Sequence, residues 1–318
     1  MILNHLLAMT LAYVLDRMIG DPENFPHPVR WIGSGIAFLA KRLNHGNFRK
    51  LKGGLAVLFI VAIVTGITLF LTHVAYGMHR FAGIGAEALF IAAAIAAKGL
   101  ADAAHDVYQP LKHGDLNRAR RNLSRIVGRD TEKLSEAEVA RAAVETVAEN
   151  TSDGITAPLF WAFIGGAPFA LAYRAINTCD SMLGYQNEKF ARFGWASARL
   201  DDLVNAIPSR LTGMLMIIVN RAVHPHSKRD CFRILFRDAK KHASPNSGWL
   251  EAAMAALLGV QLGGANAYAG VITERAHLGD SRHPLHRKHI VQAVSVMHRT
   301  VFSMLAICWL GGGILAFA

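Results

Sequence analysis

Cysteine is scarce in this chain. The 318 residues contain only Cys179, Cys231 and Cys308, with no CxxC spacing. That excludes a disulfide framework and fits a reduced, cytoplasm-facing protein. Charge is scarce as well: 18% of residues are charged and 52% are hydrophobic. A typical soluble enzyme is less apolar, and this balance belongs to membrane proteins. Several chemical signatures are missing. There is no Walker A motif, since 259–264 lacks the lysine and hydroxyl. There is no HExxH or Cys/His ligand pattern and no GxSxG elbow. The fifteen histidines, including His283, His286 and His289 at intervals of three and the His224/His226 pair, therefore do not point to a transition metal. Internal repeats and low-complexity tracts are absent. The apolar stretch 1–19 lacks a basic n-region and a small-residue cleavage site, so it is expected to be a retained membrane segment.

Acid is scarcer than base, and the net charge is +11. The bases cluster at Lys41, Arg42, Arg49, Lys50 and Lys52, at Arg118, Arg120, Arg121 and Arg125, and from Lys228 to Lys241. No groove-reading motif accompanies them, so nucleic acid is not an expected partner. Cytoplasmic loops next to spanning helices carry this bias. Attraction to anionic lipid or to a phosphorylated substrate adds a second reason.

Long apolar runs dominate what is present. The run 53–77 is long enough to span, and 82–101 follows after the short connection 78–85, which predicts a helical hairpin. The basic segment before Gly53 places that side in the cytoplasm. Residues 102–153 are polar and helical in pattern. Ser135 and Glu138 form a capping box. The helix they start carries Glu138, Arg141, Glu145 and Glu149 on one stripe, either as a solvated ladder or as a functional edge approaching the membrane. The segment 155–172 is broken by Gly165-Gly166-Ala167-Pro168, which predicts two half-helices or a re-entrant hairpin. Further apolar segments are 203–219, with Pro208 and Arg210 inside it, and 300–318. The Ala/Gly-rich stretch 249–268 is expected inside the protein or at the interface. The fold class read from these features is all-α: a polytopic integral membrane helical bundle with broken or re-entrant helices and polar cytoplasmic helical loops. It is read as one membrane-embedded catalytic domain over 1–318, with 102–153 as its polar cytoplasmic segment.

The most informative feature is polar. The apolar segment 155–172 is bracketed by Glu145, Glu149, Asn150, Asp153, Arg174, Asn177, Asp180, Asp201 and Asp202. Ionisable groups at membrane depth are costly and face a cavity or a partner. Carboxylates beside arginines and amides suit a metal–phosphate site. Arg129 in 128–131 is a candidate phosphate clamp or the member of an exposed charge pair. The segment 240–248, with Lys241, Ser244 and Asn246, has anion-binding composition, or else is a capping turn. Asp21, His27 and Arg30 follow the first apolar segment in a proline-fixed turn, as site residues or as a simple interfacial loop.

The strings GDPENFPHPVRWIG, IVGRDT, RAAVETVAENTSDGITAPLFWAFIGGAPFALAYRAINTCDSMLGY, SARLDDLVNAIPSRLTG and RDAKKHASPNSGWLEAAMAALLGVQLGG resemble the adenosylcobinamide-phosphate synthase family (CobD/CbiB) of cobalamin biosynthesis. The resemblance runs in order from Asp16 to Gly279. It implies a multi-pass protein of the cytoplasmic (inner) membrane whose active site faces the cytoplasm. It implies a ligase that joins adenosylcobyric acid to (R)-1-amino-2-propanol O-phosphate, driven by ATP with Mg²⁺. The cobalt belongs to the substrate, and no oligomeric state is implied. A family linked to β-lactamase regulation shares the general architecture, and a transporter or sensor is the alternative activity.

Side-chain chemistry at the matching positions then gives candidate roles. Asp153, Asp180, Asp201 and Asp202 are the expected Mg²⁺ carboxylates, with Glu149 beside them and Asn150 and Asn177 orienting oxygens. Arg174, Arg199, Arg129 and Lys241 are the expected phosphate cations, with Ser244, Asn246 and Arg30 as further substrate contacts. Catalytic roles fall to Asp153, Asp180, Glu149 and His27, the last as acceptor of the amine proton.

Overall fold

The computed structural model describes residues 1–20, 27–184, 188–223, 227–268 and 270–317. Asp21, His224 and His226 lie outside them. In chain order the helices are α1 Ile2–Ile19, α2 Pro28–Leu43, α3 Arg49–Met78, α4 Arg80–Ala94, α5 Ala97–Lys112, α6 Leu116–Leu123, α7 Glu136–Thr151, α8 Ala157–Leu183, α9 Trp195–Val204, α10 Ala206–Val219, α11 Lys228–Asp238, α12 Ser247–Leu258 and α13 Lys288–Phe317. A π-helical turn, Ser152–Thr156, joins α7 to α8. Between α12 and α13 runs an antiparallel hairpin, β1 Leu262–Tyr268 and β2 Val271–Leu278. Among the described residues, five helical stretches are long and apolar enough to cross a membrane, or six with the bent pair α9/α10 taken as one. The chain is thus a polytopic, predominantly helical membrane bundle.

The chain divides into two compact units. The first comprises 1–96, 153–205 and 305–318, and the second 97–152 and 206–304. In the first unit, α3 presents Leu58, Phe59, Phe70 and other large apolar side chains outward, as a lipid-facing helix does. Its inner face, with Ala56, Val57 and Ile60, packs against Ile32, Ile36, Cys179 and Phe193. Small residues permit close approach: a Cβ on Gly53 would strike the Phe193 carbonyl. The α3–α4 connection is tighter than expected. Only His79 separates the helices, and its Nδ1 accepts from the Phe81 N–H at 3.2 Å as the cap of α4. The apolar run 82–101 is interrupted after Ala94. There the Ala96 N–H donates to the Gly154 carbonyl at 3.0 Å.

The expected break in 155–172 is present. Gly165 and Gly166 are non-helical, Gly166 having φ 64°. The two legs of α8 double back. Tyr173 Oη donates to the Asp153 carbonyl at 3.4 Å, although twenty residues of straight helix would separate them by about 30 Å. The Trp161 and Phe169 rings, on opposite legs, lie 6.3 Å apart. The stretch Glu136–Leu183 satisfies length and apolarity for a span, yet it does not run as one rod. It contains a re-entrant hairpin with its tip at Gly165-Gly166.

In the second unit, α12 is buried along its length apart from a half-buried Trp249, which places the Ala/Gly-rich stretch inside the protein. Ser135 and Glu138 form the expected capping box on α7, and Ser227 with Asp230 forms another on α11. β1 was not legible as a strand: Leu262-Gly-Gly-Ala-Asn-Ala-Tyr has neither β-branched residues nor clean alternation, whereas β2 opens on Val271, Ile272 and Thr273, a β-branched signal that was missed. Two glycines in left-handed conformation, Gly263 and Gly264 at φ 84°, shape the start of β1.

Candidate functional site

Each unit gathers a set of polar side chains at positions the sequence singles out. In the second unit, the α7 stripe docks the hairpin and is no solvated ladder. Arg129, buried, pairs with the buried Glu145 and also donates through Nη1 to Asn266 Oδ1 at 2.5 Å. Glu145 Oε1 accepts from the Gly263 N–H at 2.8 Å. Arg141 donates to the Gly263 carbonyl, to the Ala265 carbonyl at 2.7 Å and to Asn266 Oδ1 at 3.2 Å. One helix turn further on, Glu149 accepts from Ser247 Oγ at 2.9 Å.

The 240–248 segment forms a folded turn at the start of α12. Ser244 Oγ accepts from the Asn246 and Ser247 N–H groups, both at 3.2 Å, which favours the capping reading for Ser244. Asn246 is buried and its Oδ1 accepts from Arg210 Nη1 at 3.2 Å. Arg210 itself lies over the Trp249 ring at 5.3 Å. Lys241 is tied to Asp238 at 2.6 Å. His242 Nδ1 accepts from the Ser244 N–H at 3.0 Å, and its Nε2 lies 3.4 Å from Glu251 Oε1. Burial pushes the His242 imidazole below its ordinary range, against the opposing pull of Glu149. Burial, with the charges of Glu145 and Glu149, holds Glu251 well above the usual carboxylate range. His242 and Glu251 carried no expected role, and Arg141 was noted only as part of the stripe. A carboxylate inside the apolar run 250–258 was the available signal for Glu251. Beside this cluster, a groove of about 770 Å³ is lined by Arg129, Thr131, Lys133, Glu138, Asn266 and Ile272, among others.

In the first unit, the π-turn and the returning leg of α8 gather a second set. The Asn177 and Asn205 amides donate to the two oxygens of Asp201, at 3.2 and 3.1 Å. Asn205 Oδ1 accepts from Tyr173 Oη at 2.8 Å, and that hydroxyl also reaches the Asp153 carbonyl. Asp153, Asn177 and Asp201 therefore share one network through Tyr173 and Asn205, neither of which carried an expected role. Asp202 turns to Arg199 at 3.6 Å, and Arg199 is exposed. Asp180 sits at the end of α8, where its carbonyl accepts from the Gly184 N–H. Arg174 lies on the same leg, its carbonyl accepting from Thr178 Oγ1 at 2.7 Å. His27 caps α2, Nδ1 accepting from the Val29 N–H at 3.3 Å, and Arg30 lies exposed in the first turn of that helix. In the second unit, Asn150 donates back to the Thr146 carbonyl of its own helix at 3.0 Å.

Among the described residues, no three His, Cys, Asp or Glu side chains converge as an ion-binding group. A dedicated all-protein cage is therefore not what these carboxylates form. Mg²⁺ held by one or two carboxylates, its shell completed by phosphates and water, needs no such cage.

The chain belongs to the CobD/CbiB family. The family described as CobD/Cbib protein matches residues 9–297. The chain is 51% identical over 313 residues to the "Cobalamin biosynthesis protein CobD" of Halalkalibacterium halodurans, covering 98% of each. It is 45% identical to the protein of the same name from Clostridium perfringens, covering 93% of this chain and 95% of that one. It is 42% identical to the "Cobalamin biosynthesis protein CbiB" of Salmonella typhimurium, covering 92% of each. No solved structure matches the chain.

Proposed function

We propose that this chain works in cobalamin biosynthesis as an ATP-dependent ligase of the cytoplasmic membrane. It would join adenosylcobyric acid to (R)-1-amino-2-propanol O-phosphate. Family membership over nearly the whole chain supports the pathway. The observation that carries the chemistry is the partly buried set around Arg129, Glu145, Glu149 and the Ser244–Ser247 turn. It joins guanidinium, carboxylate and hydroxyl groups at a helix start, where an anion is favoured.

A carboxylate is a poor acylating agent. In this reading a corrinoid carboxylate oxygen attacks the γ-phosphorus of ATP, ADP leaves, and an acyl phosphate forms. The amine nitrogen then attacks the acyl carbon, inorganic phosphate leaves, and the nitrogen gives up a proton. Phosphoryl transfer asks the protein for alignment and charge neutralisation more than for a nucleophile. Mg²⁺, when bound with the nucleotide, supplies that neutralisation, and one or two of Asp153, Asp180, Asp201 and Asp202 would hold it. Arg129, Lys241, Asn246 and Ser244 are proposed for phosphate groups within the second unit. Arg174, Arg199, Asn177 and Arg30 are their counterparts within the first. Glu149, Asn150 and His27 are proposed to orient the reactants or accept the amine proton.

The test uses purified protein in detergent with adenosylcobyric acid, aminopropanol phosphate, Mg²⁺ and ATP, read by mass spectrometry of the corrinoid. The expected product is heavier by the aminopropanol phosphate less water, and forms only with ATP. Asp153→Asn and Asp180→Asn are expected to abolish turnover while the protein stays in the membrane fraction. An unchanged corrinoid with folded wild-type protein would overturn the ligase in favour of transport or sensing, which broken helices also serve.

A further inference from the structure

Glu87 is a carboxylate in the middle of an apolar helix, and it is 1% exposed. Two donors and an imidazole converge on it. His5 Nδ1 lies 2.8 Å from Oε1, Tyr76 Oη donates to Oε2 at 2.7 Å, and the Ala167 N–H donates to Oε1 at 3.1 Å. The last contact is unusual in kind, because it reaches the backbone of the re-entrant tip. The returning leg of α8 begins there. The first N–H groups of a helix have no partner within it, and inside a membrane bundle no bulk water replaces one. Pro168 removes one of these donors, and Glu87 accepts another. A negative charge at this end also opposes the positive pole of the leg. Gly166 completes the fit: it is left-handed, and a Cβ on it would land on Glu87 Oε1 and against His5.

We propose that Glu87, held by His5 and Tyr76, is a positioning residue. It pins the re-entrant tip and thereby sets the height of the returning leg, which carries Tyr173, Arg174, Asn177 and Asp180. The leg is a continuous helix from the tip to Leu183, so a displacement at Ala167 is passed along it. The catalytic consequence rests on the ligase reading. The structural consequence does not.

The tip is accessible to a probe. A cavity of about 530 Å³ reaches it, lined by Ile164 and Gly165 on one side and by His73, Tyr76 and Glu87 on the other. Ile164 is half exposed. A cysteine placed at Ile164, in protein whose own three cysteines are replaced, reports the tip through its rate of reaction with a maleimide.

The experiment compares Glu87, Glu87→Gln and Glu87→Ala, each with Ile164→Cys for labelling and without it for activity. Glu87→Gln keeps the volume and an acceptor oxygen for the Ala167 N–H. Glu87→Ala removes both. In Glu87→Ala the labelling rate is expected to change at least about 10-fold, and kcat to fall about 10- to 100-fold with KM for ATP little changed, the scale of a small misplacement of reacting groups. Glu87→Gln is expected to restore most of both. Equal labelling in all three proteins would overturn the proposal. So would a loss in Glu87→Ala that appears in KM alone. Should wild-type protein show no ligase activity, the labelling comparison still decides the pinning. Should Glu87→Ala fail to fold, Tyr76→Phe, which removes one donor to the same carboxylate, is expected to shift labelling in the same direction. Unchanged labelling there would count against it.

Discussion

Asp238 shows how far a single carboxylate in this chain is committed. Burial alone would push it up. Bonds from Arg237, Lys241 and the Gly279 N–H overcome that and hold it at about 2. Its ordinary value is about 3.9. The folded value is the lower one, so the stabilisation is complete above the ordinary value and is lost as pH falls from about 3.9 toward 2. The whole effect is about 2 kcal/mol. Asp238→Asn is therefore expected to lower the thermal midpoint at pH 7 and to flatten its fall between pH 4 and pH 3. A midpoint that falls as steeply in the variant as in the wild type would contradict this linkage. His242 adds a second window. Burial depresses it, so stability is lost as pH drops below the ordinary histidine value of about 6.5.

The element scale separates what periodicity reveals from what it hides. The capping box at Ser135 and the break at Gly165–Pro168 were legible because local chemistry dictates both: a hydroxyl and a carboxylate three residues apart, and residues that cannot continue a helix. The stripe Glu138–Arg141–Glu145–Glu149 was legible as a stripe. Its partner was not, because β1 has no β-branched residue and, of the types that announce a strand, only Tyr268 at its end. A glycine-rich segment becomes a strand here because β2 pairs with it and α7 supplies further bonds. Arg141 takes two of its carbonyls and Glu145 one of its N–H groups. The cluster around Asp201 was legible as polar residues in apolar company and Glu251 was missed, and the partners of both come from distant positions that spacing alone does not join. This makes the hairpin dependent on an ion pair. Arg129→Ala leaves Glu145 buried with its nearest remaining cation, Arg141, at 3.9 Å. Truncating one side of a buried pair costs about 3–5 kcal/mol. The variant is expected to unfold several degrees lower, and Arg275 in β2 is expected to become a site of rapid trypsin cleavage. Lys133→Ala, an exposed change in the same groove, is the control, expected within about 0.5 kcal/mol of wild type. Equal trypsin resistance in Arg129→Ala and wild type would sever the hairpin from this pair.

At the scale of the whole molecule, the re-entrant hairpin removes a conflict that the sequence poses. Both flanks of 155–172 carry chemistry, and a straight span would send them to opposite sides of the membrane. Doubling back at Gly165-Gly166 brings Asp153 and Tyr173 together, so the flanks share a side. Which side is read from α3, whose basic end meets the start of α9: Lys50 Nζ lies 5.1 Å from the Trp195 ring. The 30 residues of α3 extend about 45 Å, longer than a hydrocarbon core of about 30 Å, so its two ends lie on opposite faces. Arg49, Lys50 and Lys52 mark one end and the His79 turn the other, and the positive-inside bias makes the basic end the expected cytoplasmic one. In protein whose own cysteines are replaced, His79→Cys is then expected to react with an impermeant maleimide in intact cells. Lys50→Cys is expected to react only after the membrane is opened. The reverse pattern would invert this orientation and, under the proposed ligase reading, put the Asp201 network on the face away from ATP. Labelling of both positions from outside would mean that α3 does not cross, and the re-entrant reading would lose its reference span. The expected pattern would place the polar flanks of the hairpin on the nucleotide's side, the arrangement a ligase of soluble substrates requires from a membrane-embedded helix pair.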